Sequence, residues 1–66
     1  MRITLNGDPF DLDGPMTVQA LLDHLQIDGR GVAVEYNLVV IKRAQYGETI
    51  VAEGSEVEIV AFVGGG

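Results

Sequence analysis

Only one stretch of this chain carries a helical stripe, and it is too short to stand alone. Val18, Leu21, Leu22 and Leu25 recur at i, i+3, i+4 and i+7, an apolar line along roughly two turns. Gln19, Ala20, Asp23, His24 and Gln26 take the outer arc. The Thr17 hydroxyl can accept from an early backbone N–H and start the helix. Asp28-Gly29-Arg30-Gly31 stops it, with Gly29 the expected left-handed residue of the cap. A helix of this length is marginal in water, so its stripe has to be buried against a sheet.

The remaining residues supply that sheet. Arg2 to Asn6 alternates, with Ile3 and Leu5 on one face. Asn6-Gly7 is a strong hairpin signal, and Phe10 and Leu12 return on one face before Asp13-Gly14-Pro15. Val32, Val34 and Tyr36 share a face of the strand that ends at Asn37, and Leu38 to Ile41 predicts a short strand after a turn there. Lys42 to Gly47 reads as about one helical turn, Thr49-Ile50-Val51 as a short extended piece and Glu53-Gly54-Ser55 as a turn. The last strand places Val57, Ile59 and Ala61 on one face and Glu56, Glu58, Val60 and Phe62 on the other. One helix across one face of a mixed four- to five-stranded sheet buries every apolar stripe in one core. Pairing the first and last strands in parallel at the centre gives an α+β, β-grasp (ubiquitin-like) arrangement. Residues 1–66 are expected to form a single domain, with 63–66 a flexible glycine tail.

Chemistry-bearing groups are sparse. The 66 residues contain no cysteine, which excludes disulfides and cysteine-based metal sites. His24 is the only histidine and sits beside Asp23 on the polar arc, as a solvated side chain would. The Gly29 and Gly31 pair does not lead from a strand into a helix, so it makes no dinucleotide fingerprint. Ten acidic residues against four basic ones give a net charge of −6. That balance argues against nucleic acid, whose phosphates need Lys and Arg; it suits solubility alone as well as docking on basic protein surfaces. No apolar run approaches a membrane span, and the start of the chain reads as a strand rather than a leader, so the expected setting is cytoplasmic. Lys42 and Arg43 are expected to pair with the chain's own carboxylates.

The exception is the end of the chain, Val63-Gly64-Gly65-Gly66. Three successive glycines at a given place arise by chance on the order of 3 in 10,000 times, so the triplet calls for a reason. Residues without a Cβ can thread a narrow channel in a partner enzyme. Fully extended, three of them reach about 10 Å. The carboxylate of Gly66 would then be open to activation: ATP can convert it to an acyl-adenylate, from which a sulfur or nitrogen nucleophile displaces AMP. Gly64 and Gly65 would give access. Val60, Phe62 and Val63 would be partner contacts, against the alternative that Phe62 simply covers apolar surface.

Val32-Ala33-Val34 with Asn37, then Val40-Ile41-Lys42-Arg43, Glu53 to Val60, and the ending Val63-Gly64-Gly65-Gly66 resemble the ThiS family of sulfur carrier proteins in thiamine biosynthesis. The resemblance runs along the whole chain. It departs at Lys42, where the family usually has proline, and at Ser55, where Asp is usual. The resemblance implies that an E1-like adenylyltransferase (ThiF-type), using ATP and Mg²⁺, adenylates Gly66. Sulfur from a donor such as a cysteine desulfurase then gives a C-terminal thiocarboxylate, and a thiazole synthase (ThiG-type) consumes it. The chain would be a carrier rather than an enzyme, with no cofactor of its own. Without cysteine it cannot hold sulfur as a persulfide. A molybdopterin synthase small subunit, a ubiquitin-like modifier joined through Gly66, and a plain interaction domain with an inert tail stay open as alternatives.

Overall fold

The structure is a computed structural model in which residues 1–62 are described. Strand β1 (Arg2–Leu5) turns into β2 (Asp8–Asp11), and β3 (Met16–Thr17) leads directly into helix α1 (Val18–His24). A 3-10 turn at Gly29–Gly31 precedes β4 (Val32–Tyr36) and β5 (Val39–Ile41). A second 3-10 turn (Arg43–Gln45), β6 (Ile50–Val51) and β7 (Glu56–Ala61) complete the described chain. The main sheet has five strands in the order β2-β1-β7-β4-β5, and β3 and β6 form a separate two-stranded sheet. β1 and β7 are parallel neighbours; the other pairs of the main sheet are antiparallel. This is the β-grasp order expected from the sequence.

One helix covers one face of the sheet. Val18, Leu21 and Leu22 are fully buried against Ile3, Val34, Val51 and Val57, while Leu25 is half-buried. The helix start is well satisfied. Val18 N–H donates to the Thr49 carbonyl, Gln19 N–H to the Tyr46 carbonyl, and Ala20 N–H to Thr17 Oγ1 at 3.0 Å. The loop through Tyr46 and Thr49 thus serves as part of the cap, and the Tyr46 ring is buried beneath it.

The helix end differs from expectation. The left-handed residue is Gln26 (φ 60), not Gly29. Gln26 N–H donates to the Asp23 carbonyl and Ile27 N–H to the Leu22 carbonyl, the paired bonds of a Schellman motif. Ile27 packs on the core, so the chain turns where that contact can form. Gly29 serves packing instead. A Cβ there would lie 3.2 Å from the Tyr46 ring and 3.4 Å from Leu22.

Both tight hairpins use two left-handed residues, Asn6-Gly7 (φ 50, 85) and Asn37-Leu38 (φ 48, 72). Such turns match the strand twist. Each asparagine also bonds the last strand: Asn6 Oδ1 accepts from Ile59 N–H at 2.7 Å, and Asn37 Oδ1 from Glu56 N–H at 2.8 Å. β7 is therefore held by two strands and by both hairpin turns.

Candidate functional site

The site is the end of β7 and the sheet face around it. Alternation along β7 turns Val57, Ile59 and Ala61 toward the helix and Glu56, Glu58 and Val60 outward. Register places Val60 beside Ala33, Glu58 beside Glu35, and Glu35 beside Val40. Among the described residues no helix covers this face. Val60 and Phe62 are 50% and 65% exposed, and Val40 is 66% exposed. Phe62 N–H donates to the Gly31 carbonyl at 2.9 Å, which continues the β4–β7 ladder one residue past the strand. The chain is thus held in the sheet through Phe62.

The expected contacts Val60 and Phe62 therefore lie together on one open face. Val63, the threading residues Gly64 and Gly65, and the attachment residue Gly66 lie outside the described residues. Among the described residues no group of three or more His, Asp or Glu side chains is placed to hold a metal. His24 is exposed in the last turn of α1. No helix of the described residues is long and apolar enough to cross a membrane.

The charged residues are arranged differently from expectation. The ion pairs among the described residues are Arg2–Asp11 (2.8 Å) and Arg30–Asp28 (2.7 Å). Lys42 and Arg43 are in neither. Lys42 leads into the 3-10 turn in extended conformation (φ −81), and its N–H donates to Gln45 Oε1 at 2.8 Å. That φ lies close to proline's, so proline would fit the same backbone path but could not make the bond to Gln45. Arg43 lines a shallow hollow with Arg30, Ala33, Val40 and Phe62. Its charge adds slightly to the depression of the Asp28 carboxyl, which falls to about 2, chiefly through the hydrogen bonds from the Arg30 side chain and backbone. At the other end of the face, Glu35, Glu56 and Glu58 line a second hollow with Leu38 and Thr4. Ser55, the other departure, is buried, and its Oγ accepts from Ala52 N–H at 3.0 Å. An Asp carboxylate could accept the same bond in this turn.

The model of the ThiS family matches residues 3–66. The chain belongs to the ThiS family. Its fold agrees with that of a solved ThiS, the crystal structure of the thiamine biosynthesis protein from Geobacter metallireducens. The TM-score is 0.88, the identity is 38%, and all of both chains is covered. The sulfur carrier protein ThiS of Bacillus subtilis is 40% identical over 50 residues, 76% of each chain. A thiazole synthase of Paramagnetospirillum magneticum is 44% identical over all 66 residues, and the chain spans only 20% of that protein's length. ThiS-like sequence therefore also occurs within a longer protein that bears the name of an enzyme.

Proposed function

We propose that this chain is a sulfur carrier of thiamine biosynthesis, acting in the cytoplasm, whose reactive group is the carboxylate of Gly66. The observation that carries the reading is the ThiS-family match, which runs through the glycine triplet to residue 66. The geometry supports it. β7 is pinned on both sides up to Phe62, so the domain works as a handle that presents the C-terminal glycines to a partner.

In this reading a ThiF-type adenylyltransferase brings ATP and Mg²⁺, and the carrier holds neither. A Gly66 carboxylate oxygen attacks the α-phosphorus, and pyrophosphate leaves. Sulfur at the hydrosulfide level then attacks the acyl carbon, the bond to AMP breaks and AMP leaves, and the acyl group becomes a thiocarboxylate; where the donor is a persulfide, the acyl disulfide first formed is cleaved by a second thiol, which is oxidised to a disulfide. Gly64 and Gly65 give passage because no side chain blocks a narrow channel. Val60, Phe62 and Val63 contact the partner outside it. A ThiG-type thiazole synthase accepts the sulfur. The likeness to the Paramagnetospirillum magneticum protein supports this pairing, since fusion raises the effective concentration of two modules that must meet.

The test is the intact mass of the protein from its native host. The expected result is a species in which one oxygen is replaced by sulfur, lost when Gly65 and Gly66 are deleted. A free carboxylate alone, after incubation with the activating enzyme, ATP and a sulfur source, would sink the reading. A thiazole requirement on deletion of the gene separates the thiamine route from a molybdopterin route.

A further inference from the structure

Among the described residues the five-stranded sheet ends in two edge strands, β2 and β5. Each follows a two-residue turn of left-handed residues, Asn6-Gly7 before β2 and Asn37-Leu38 before β5. In such a hairpin the residues flanking the turn exchange both backbone hydrogen bonds, and the next pair exchanges none. The flanking pairs are Leu5 with Asp8 and Tyr36 with Val39. Pro9 and Val40 are therefore equivalent positions. Each turns its backbone nitrogen and carbonyl away from the neighbouring strand, toward the edge.

The two edges differ in what they offer there. On β2 the outward nitrogen belongs to proline and donates nothing, and Asp8 and Asp11 flank it. Proline and charge are common means of keeping another strand off an edge. β5 has neither. It reads Val39-Val40-Ile41, three β-branched residues, and Val40 presents both a donor and an acceptor. Val39 and Val40 point to opposite faces of the sheet and are 62% and 66% exposed, so the strand is uncovered on both sides. Lys42 extends the free edge no further, since its N–H donates to Gln45 Oε1 and its carbonyl accepts from Gln45 N–H.

We propose that β5 is a self-association edge, pairing antiparallel with β5 of a second copy of the chain about a twofold axis through Val40. Val40 then exchanges both backbone bonds with Val40 of the second copy, and Val39 packs beside Ile41 of the second copy on each side of the axis. The same register sets Lys42 opposite Leu38 of the second copy. Charge favours this arrangement. Leu38 lines the hollow that also holds Glu35, Glu56 and Glu58. Lys42 of each copy, followed by Arg43, so arrives beside three carboxylates of the other. Among the described residues neither cation is in an ion pair. Glu35 and Glu58 stand opposed on β4 and β7, an arrangement that costs stability and that a nearby cation relieves. A parallel pairing would instead set Lys42 beside Lys42 and one acidic hollow beside the other, which a chain of net charge −6 tolerates poorly.

The pairing joins two five-stranded sheets into one. β4 is antiparallel to both β5 and β7, so β5 and β7 run the same way. The two copies of Phe62 therefore lie at opposite ends of the joined sheet, away from the axis. The inference does not depend on the sulfur-carrier reading. A three-residue edge buries little area, so the dimer is a weak one, with a dissociation constant of about 0.1 mM.

Sedimentation equilibrium of the full chain, over about 10 μM to about 1 mM, is the test. The average mass is expected to rise from one chain toward two, and less steeply as salt is added. Val40→Pro removes the outward donor and leaves the bonds to β4, as Pro9 does on β2; it should stay monomeric with an unchanged circular dichroism spectrum. Two double variants, Lys42→Glu with Arg43→Glu and Glu35→Lys with Glu58→Lys, should each associate about tenfold more weakly than wild type. Mixed in equal amounts they should form a heterodimer, because both contacts are again of opposite sign; association restored by mixing is a result no folding defect produces. The proposal fails if wild type is monomeric at about 1 mM, if Val40→Pro associates as wild type does, or if the mixture does no better than its components. A monomeric wild type whose activation by an adenylyltransferase is nonetheless weakened by Val40→Pro would assign the edge to an enzyme and overturn the second copy as its occupant.

Discussion

Single residues set local geometry here by different means, and substitutions separate them. At Gly29 a Cβ would press on the Tyr46 ring at 3.2 Å, whereas at Gly31 it would meet nothing within 4 Å. Gly29→Ala should cost about 1–3 kcal/mol, because the buried tyrosine has no room to yield. Gly31→Ala should be neutral or stabilise by about 0.4–1 kcal/mol. Urea titration of the two variants is the check, and equal effects would remove the packing argument. Leu38 is the opposite case, a bulky residue at φ 72 with its side chain 80% exposed. Left-handed geometry costs such a residue about 1–2 kcal/mol, and little burial offsets it. Leu38→Gly should therefore raise stability by about 0.5–1 kcal/mol after the greater freedom of the unfolded glycine is subtracted. Asp28 gives a pH signature. Its carboxyl falls from the ordinary 3.8 to about 2 in the fold, mainly through hydrogen bonds from Arg30. A depressed acid stabilises above its unfolded value and loses that contribution as pH falls through its folded value. The gap in stability between wild type and Asp28→Asn should thus be constant above pH 3.8 and close as pH falls toward 2. Both side chains are exposed, so the gap will be small and will shrink in salt.

At the scale of elements, β7 integrates the molecule. It pairs with β1 and β4, and it also bonds to the side chain of each hairpin asparagine. Asn6→Ala removes the acceptor for Ile59 N–H and a residue suited to φ 50 in one step. A loss of about 1–2 kcal/mol is expected, against a few tenths for an exposed strand substitution such as Thr4→Ser. Much of this layer is legible in the residues. The Asn6-Gly7 hairpin, the Val18–Leu25 stripe, the Thr17 cap and the outward placement of Val60 and Phe62 all follow from local chemistry or period. The small β3–β6 sheet is not, because two-residue strands have no period and pair only through contacts distant in sequence. The role of Gln26 at the helix end is hidden for the same reason. Glycine is the better left-handed residue locally, but burial of Ile27 decides where the turn falls. Among the described residues the pairing expected for Lys42 and Arg43 is not seen, because an excess of acids says nothing about where the backbone sets them.

At the scale of the whole molecule, a 66-residue chain without cysteine depends on one small core. A domain this size buries only about 60% of its unfolded surface, and its net stability is commonly about 3–5 kcal/mol. The core residues and the open-face residues should therefore respond in opposite ways. Leu22 is fully buried between helix and sheet. Leu22→Ala is expected to cost about 2–5 kcal/mol, enough to leave much of the protein unfolded at room temperature. Phe62 is as apolar but 65% exposed, and its backbone N–H, not its ring, makes the bond to Gly31. Phe62→Ala should leave the unfolding midpoint nearly unchanged. Circular dichroism through a urea titration distinguishes the two, and formation of the thiocarboxylate adds the functional axis. The Leu22 variant should lose carrier activity in proportion to its unfolded fraction. The Phe62 variant should lose it while folded. If Phe62→Ala instead unfolds the domain, the ring belongs to the core and the open face is smaller than its exposure suggests.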